Sequence, residues 1–278
     1  MQKGFTRIAL GGGGMKGLLH VGALIELSKH QPLEFNNGVY GCSIGSIIGT
    51  YIAFGLPIDN LFKLYKKHFS STNTFVPSIG LYDLSTCLSS KGLFSMNHFE
   101  KNLIAFFDES GIDIRNKVLA DAKMPLYIIA SNVTKARPTI LSKNVTVVDA
   151  IKCSCCVPGI FKPQTLYNQV YVDGDFFSPN ISGVIPLSQD TLILTLPRPK
   201  SCKVTPDNLT SISSFDFAFD LFSMATRRVN IKEYDKATLP LIYPSLRATT
   251  DLSTLDIDDI MKFASLKLRN FLLTKRIN

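Results

Sequence analysis

Gly41-Cys42-Ser43-Ile44-Gly45 sets a serine between two glycines, and its flanks say what kind of bend it occupies. Before it, Gly38-Val39-Tyr40 is short, apolar and bounded by turn residues, as the end of a buried strand is. After it, Ser46-Ile47-Ile48-Gly49-Thr50-Tyr51-Ile52-Ala53-Phe54 reads as a buried helix. A strand that turns at once into a helix strains the residue in the middle, and glycines on either side let the two backbones approach. Ser43 would then stand at the positive end of the helix, where developing negative charge is favoured. The same letters also fit a plain glycine turn followed by a helix capped at Ser46.

A second glycine cluster lies upstream. Phe5 to Leu10 reads as a first strand, Gly11-Gly12-Gly13-Gly14-Met15-Lys16-Gly17 follows, and Leu18 to Leu27 has helical spacing. Consecutive glycines gather main-chain N–H groups into a concavity that binds an anion. A dinucleotide pyrophosphate, a nucleotide phosphate and the oxyanion of an acyl-transfer intermediate all qualify. Gly12, Gly14 and Gly17 satisfy the dinucleotide spacing, but that fold also wants an acidic residue about 20 positions on, closing the next strand. Glu34, the nearest candidate, follows Pro32 and precedes the strand at Val39. A nucleotide-phosphate loop fails outright, because Met15 and Gly17 flank Lys16 where glycine and a hydroxyl residue are required. An oxyanion hole needs only main-chain donors beside a nucleophile, and Ser43 arrives at the end of the next strand. The dinucleotide reading leaves Ser43 idle.

A serine hydroxyl needs a group to take its proton. The four histidines, His20, His30, His68 and His98, all lie in ordinary contexts where solvated or capping roles are expected, and none follows residue 98. A carboxylate is the other candidate. In Tyr171-Val172-Asp173-Gly174-Asp175-Phe176-Phe177, Asp173 ends an apolar strand, Gln169 to Val172. Lost hydration among Val and Phe side chains would raise its pKa and make it a better base. Asp-Gly is equally a common hairpin turn.

Five segments in order resemble the patatin-like phospholipases, serine acyl hydrolases with a Ser-Asp dyad. Gly12-Gly13-Gly14-Met15-Lys16-Gly17 is similar to the family's oxyanion loop, and Gly41-Cys42-Ser43-Ile44-Gly45 to its nucleophile elbow. Lys91-Gly92-Leu93-Phe94 resembles a helix lead-in. The small-residue run from Asp149 to Pro163 and then Asp173-Gly174 complete the set. The resemblance spans about Ile8 to Pro199 and implies a three-layer α/β/α sandwich with a mostly parallel central sheet. It implies Ser43 as nucleophile, Asp173 as base, and an oxyanion hole from Gly12, Gly13, Gly14 and Ile44, with no metal or organic cofactor. The implied substrate is a phospholipid or other fatty-acyl ester. Gly41, Gly45, Lys16, Gly17 and Gly174 support the motifs, with Lys16 expected to be solvated at a helix start. Two departures stand out: Asp175 replaces a second glycine after Asp-Gly, and Ser178-Pro179-Asn180 alters the downstream order. Like charge from Asp175 is expected to raise the pKa of the pair. A catalytically silent lipid-binding protein of the same fold, or a dinucleotide-binding oxidoreductase, are the competing functions.

The 278 residues, 45% hydrophobic, suit one large core of alternating strands and helices, an α/β fold. Strands are predicted at 5–10, 37–41, 125–131, 169–173 and 191–196. Residues 1–200 are expected to form the catalytic core and 201–278 a C-terminal helical extension packed on it, after a connector at 197–211. Helices are predicted at about 214–236 and 256–275, the second with an apolar stripe of Ile257, Ile260, Ala264, Leu268, Phe271 and Leu272. Leu61-Phe62, Leu81-Tyr82, Leu93-Phe94 and Phe106-Phe107 are candidates for acyl-pocket walls or for plain core. No signal peptide or membrane span is read, and the cysteines, Cys153 and Cys156 included, are expected as buried thiols in a reducing compartment. A cytoplasmic protein that associates peripherally with membranes is the expectation. The formal charge of +8 lacks the interleaved aromatics of a nucleic-acid site and better suits an anionic membrane surface.

Overall fold

The computed structural model describes residues 4–69, 91–197, 237–246 and 255–277, together with Pro206 and Leu252. Along the chain these form β1 (Arg7–Leu10), α1 (Leu18–Ser28), β2 (Val39–Cys42), α2 (Ile44–Ala53), α3 (Ile58–Phe69), β3 (Gly92–Phe94) and α4 (Asn97–Glu109). There follow β4 (Leu126–Asn132), β5 (Arg137–Leu141), α5 (Val147–Cys155), β6 (Gly159–Phe161), β7 (Gln164–Leu166), β8 (Gln169–Val172), β9 (Thr191–Thr195), β10 (Thr238–Pro240) and α6 (Ile257–Ile277). β3 and β6 form a separate two-stranded pair. The main sheet runs β10-β9-β1-β2-β4-β8-β7, with β5 also paired to β4.

From β10 to β4 every pairing is parallel. The strands expected from continuous apolar runs are β1, β2, β4 and β9 of this region, and β8; such runs fit strands covered on both faces, while the edge strand β10 was not expected. Alternation decides which side chain goes where. Ile8, Leu10, Val39, Ile128, Leu192 and Leu194 join the large core built with the helices. Ala9, Tyr40, Cys42, Ile129 and Ile193 face the other way, against Ile181, Ile185 and Ala237. Leu61, Phe94, Phe106 and Phe107 are buried in the large core, so core packing accounts for them. The predicted helix at 214–236, the Leu81-Tyr82 pair and most of the 197–211 connector lie outside the described residues.

Beyond β4 the sheet changes character, and this change positions the site. A strand residue has only two edges on which to pair. β5 holds one edge of β4, from Ile128 to Asn132. The other edge is therefore shared. β2 pairs along it as far as Cys42 opposite Ile129, and β8 takes it over, antiparallel, with Val172 opposite Ser131. The two strands approach each other end to end, and only Ala130 separates their last partners on β4. The residues that follow are Ser43 and Asp173.

The chain beyond residue 200 supplies β10 to the sheet edge and α6 to the helical layer. α6 buries Ile257, Ile260, Ala264 and Leu268 of the stripe read from the sequence, while Phe271 and Leu272 are only partly buried against the core. It is fastened to α1 by Glu26, a carboxylate 1% exposed. Arg269 Nε (2.8 Å) and Ser265 Oγ (2.7 Å) donate to it from α6, Lys29 Nζ (2.9 Å) from the end of α1. The Arg269 hydrogen bond, above all, holds the Glu26 carboxyl well below the usual carboxylate range. Among the described residues no helix is long and apolar enough to cross a membrane.

A depressed folded-state pKa gives stability that is complete above the unfolded value, near 4.3, and is lost as pH falls below it. Glu26→Gln should therefore cost about 2 kcal/mol at neutral pH. Thermal unfolding of the two proteins should begin to converge below pH 4 and coincide only once the pH falls through the much lower folded-state pKa of Glu26.

Candidate active site

β2 ends at Cys42 and α2 begins at Ile44, which leaves Ser43 alone in the bend at φ 50° and ψ −126°. A non-glycine residue there is strained and persists only when its neighbours hold it. They do so at both ends. The Ser43 N–H donates to Ser154 Oγ (2.8 Å), which itself donates to the Ile129 carbonyl (2.6 Å). The Ser43 carbonyl accepts from Ser46 Oγ (2.6 Å) and from the Ser46 N–H (2.8 Å). Ser46 thus lies inside the first turn of α2, and the capping position belongs to Ser43. A Cβ on Gly45 would strike the Leu10 carbonyl, and one on Gly41 would strike the backbone of Gly45 and Ser46. The elbow therefore sits directly on the end of β1.

That contact brings the glycine loop to the serine. Gly11 to Gly14 leave β1, with Gly14 at φ 56°, and a 3-10 turn at Gly14–Gly17 leads into α1. A Cβ on Gly17 would meet the Ile44 side chain, so the start of α1 lies against the start of α2. Lys16, expected in solvent, is buried: its Nζ donates to the Leu196 carbonyl across the loop. His20, expected to be solvated or capping, is also buried, with Nε2 2.9 Å from the Gly11 carbonyl. Burial lowers its pKa to about 4, so the ring is neutral at neutral pH and Nε2 donates its hydrogen. The other histidines lie elsewhere: His30 is 3.3 Å from Glu26, His68, buried rather than solvated, is 3.2 Å from Glu109, and His98 Nε2 is 3.1 Å from Asn102.

Asp173 follows β8 and opens a 3-10 turn, Gly174–Phe176, in place of the alternative hairpin. Its Oδ1 accepts from the Asp175 N–H (2.9 Å), and its Oδ2 accepts from Ser43 Oγ (2.8 Å). Ser131 pins the turn, donating to the Gly174 carbonyl (3.1 Å) and accepting from the Phe177 N–H (2.9 Å). A Cβ on Gly174 would meet the Ile129 carbonyl, so the turn lies flat on β4. Burial, and then the charge of Asp175, raise the Asp173 pKa; burial chiefly raises that of Asp175. The Asp175 carboxylate accepts from the Cys42 thiol (3.3 Å) and fills the volume that a Cβ on Gly12 would occupy. It thus touches the oxyanion-type loop as well as the acid.

Cys42, Asp173 and Asp175 form a group of potential metal donors, their atoms within 4.8 Å of one another. Burial pushes the Cys42 thiol well up, and the carboxylates serve Ser43, the Asp175 N–H and Cys42. Cys153, Cys155 and Cys156 are likewise free, buried and raised in pKa. Sequence reading missed the supporting serines 46, 131 and 154. A serine inside an apolar buried run was the available signal.

The sequence model described as patatin-like phospholipase matches residues 8–181, which contain the loop, the elbow and the acid turn. The chain belongs to the patatin-like phospholipase family. This patatin-like chain is 29% identical over 201 residues to a cUMP-AMP-activated phospholipase of Escherichia coli, a match over 62% of the chain and 55% of the relative. It is 27% identical over 173 residues to an uncharacterized protein of Acanthamoeba polyphaga mimivirus, over 60% of the chain and 57% of the relative. The chain thus spans little more than half the length of these curated relatives. Among solved structures, VipD of Legionella pneumophila superposes with a TM-score of 0.59 at 15% identity, covering 98% of this chain and 67% of VipD. ExoU of Pseudomonas aeruginosa, in its complex with SpcU, gives 0.52 at 16% identity, covering 98% of this chain and 52% of ExoU. At such identities the likeness is one of fold.

Ser154→Ala removes the acceptor of the Ser43 amide and strands a buried donor. Thermal or denaturant unfolding should show a loss of about 2 kcal/mol.

Proposed function

We propose that the chain is a serine lipid acyl hydrolase of the phospholipase A or lysophospholipase type, acting on fatty-acyl esters at a membrane surface. The observation that carries this reading is the 2.8 Å hydrogen bond from Ser43 Oγ to Asp173 Oδ2, on a strained elbow beside a glycine loop. Ser43 Oγ attacks the ester carbonyl and its proton passes to Asp173. The new C–O bond leaves a tetrahedral oxyanion, for which the main-chain N–H groups of the Gly12 to Gly14 loop and of Ile44 are the candidate donors. Each such donor lowers a barrier of this kind by roughly 3–4 kcal/mol. Collapse expels the alcohol, which leaves with the proton from Asp173. Water then attacks the acyl-serine, Asp173 takes its proton, and Ser43 recovers its hydrogen as the fatty acid departs. The N-terminus of α2 lies under the developing charge and favours it. Residues 1–200 make up the proposed catalytic core, with 201–278 closing its sheet edge and helical layer.

A fluorophosphonate probe should label the protein, and Ser43→Ala should abolish both labelling and hydrolysis of a water-soluble ester. A protein that binds phospholipid yet leaves the probe unreacted would be a silent lipid-binding member of the fold.

The base works only when ionised, so activity should rise with pH through the apparent pKa of the Asp173–Asp175 pair. Burial and mutual repulsion raise that value, which puts the acid limb nearer neutrality than for an ordinary carboxylate. Asp175→Asn keeps the shape and removes the charge, so the acid limb of kcat/KM should move by about one pH unit to lower pH. An unmoved limb would refute the coupling.

A further inference from the structure

Past the point where β2 leaves, the strands β5-β4-β8-β7 continue as an antiparallel flap. Its two turns, at 133–136 and 167–168, stand side by side. The Val133 N–H donates to the Val170 carbonyl (2.8 Å), and the Val170 N–H to Thr134 Oγ1 (2.9 Å). Both turns lie outward of the site, because β4 passes Ala130 before reaching one and β8 runs inward from the other to Asp173. The four extended residues of β8, roughly 13 Å, separate the second turn from Asp173.

What the tips carry is unusual for a hairpin. Tyr167 is 67% exposed and Val133 45%. Tyr167 and Asn168 both have positive φ, 49° and 56°, as a type I′ turn requires. Such turns favour Asn-Gly, so a large aromatic at the first position costs backbone strain and gains no burial within the described residues. The charges are one-sided as well. Across residues 126–141 and 159–172 there is no aspartate or glutamate, while Lys135 and Arg137 at the first turn, and Lys162 at the inward end of β7, are all exposed. None of the three pairs with a carboxylate among the described residues.

We propose that these paired hairpin tips are a membrane-docking surface, taking the anionic head-group face of a phospholipid bilayer; the proposal builds on the lipid acyl hydrolase reading. An exposed tyrosine has an apolar body and a polar tip, the combination that settles at a membrane–water interface. Basic side chains free of carboxylate partners are attracted by anionic lipids. Two apolar side chains are too small an area for a stable protein–protein contact, which favours a lipid surface over an acidic protein. Docked in this way, the flap stands between bilayer and elbow and presents the catalytic end of the sheet to the lipid.

The test uses the full chain carrying Ser43→Ala, so that hydrolysis does not alter the vesicles. Flotation with vesicles of phosphatidylcholine alone, and of equal phosphatidylcholine and phosphatidylglycerol, should show binding to the anionic mixture that weakens with added salt. Lys135→Gln with Arg137→Gln should weaken that binding roughly thirtyfold. Tyr167→Asn should weaken it too, while leaving the melting temperature unchanged or raised, since asparagine suits the turn. A purely structural tyrosine would not give that combination. In the background that retains Ser43, both variants should turn over a water-soluble ester at the parent rate. Vesicle binding equal to the parent in both variants overturns the proposal, as does a parent that ignores anionic vesicles. Absent turnover of the water-soluble ester in the unmutated chain would instead sink the hydrolase reading, and the flotation result would still decide the docking surface.

Discussion

The structure depends on a shared strand edge. β4 cannot pair with β2 and β8 over the same residues, because β5 holds its other side. β2 therefore has to turn off where β8 arrives, and the two chain ends face each other across Ala130. The first residue past each strand is the one with chemical potential: Ser43 on one, Asp173 on the other. Their hydrogen bond is thus a by-product of sheet registry. A slip of one residue in either pairing would turn one of the two side chains to the opposite face of the sheet.

Around this meeting point strain and desolvation are balanced by short-range polar contacts. Ser43 is held in an unfavourable backbone conformation by Ser154 and Ser46, and the acid turn is pinned by Ser131. Serine is small enough to enter a dry interior and polar enough to close main-chain valences there. Asp173 is buried and Asp175 half-buried beside it, a costly place for two negative charges, and their raised pKa values are the expected response. Lys16 reinforces the loop from beneath, tying it to the chain that leaves β9.

Much of this was legible in the letters. Continuous apolar runs marked β1, β2, β4, β9 and β8, and paired glycines marked the elbow, since only close backbone approach demands them on both sides of one residue. The stripe on α6 announced its buried face. Short-range patterns failed where the deciding contact came from far along the chain. Lys16 and His20 sit at a helix start, where solvent is the local expectation, and are buried because the Leu196 segment and the Gly11 carbonyl fold over them. β3, β5, β6, β7 and β10 were missed: β5 is only partly buried and interrupted by proline, and the other four are three residues long. The end-to-end meeting of β2 and β8 has no sequence signature at all.

The fit between Asp175 and Gly12 carries an evolutionary consequence. The carboxylate fills the space that any side chain at position 12 would need, so the two positions cannot drift independently. A glycine at 175 would leave slack beside the loop; here a side chain at 12 would first have to push the Asp175 carboxylate from its place beside Cys42. The same substitution at 12 should therefore cost more beside Asp175 than beside a glycine.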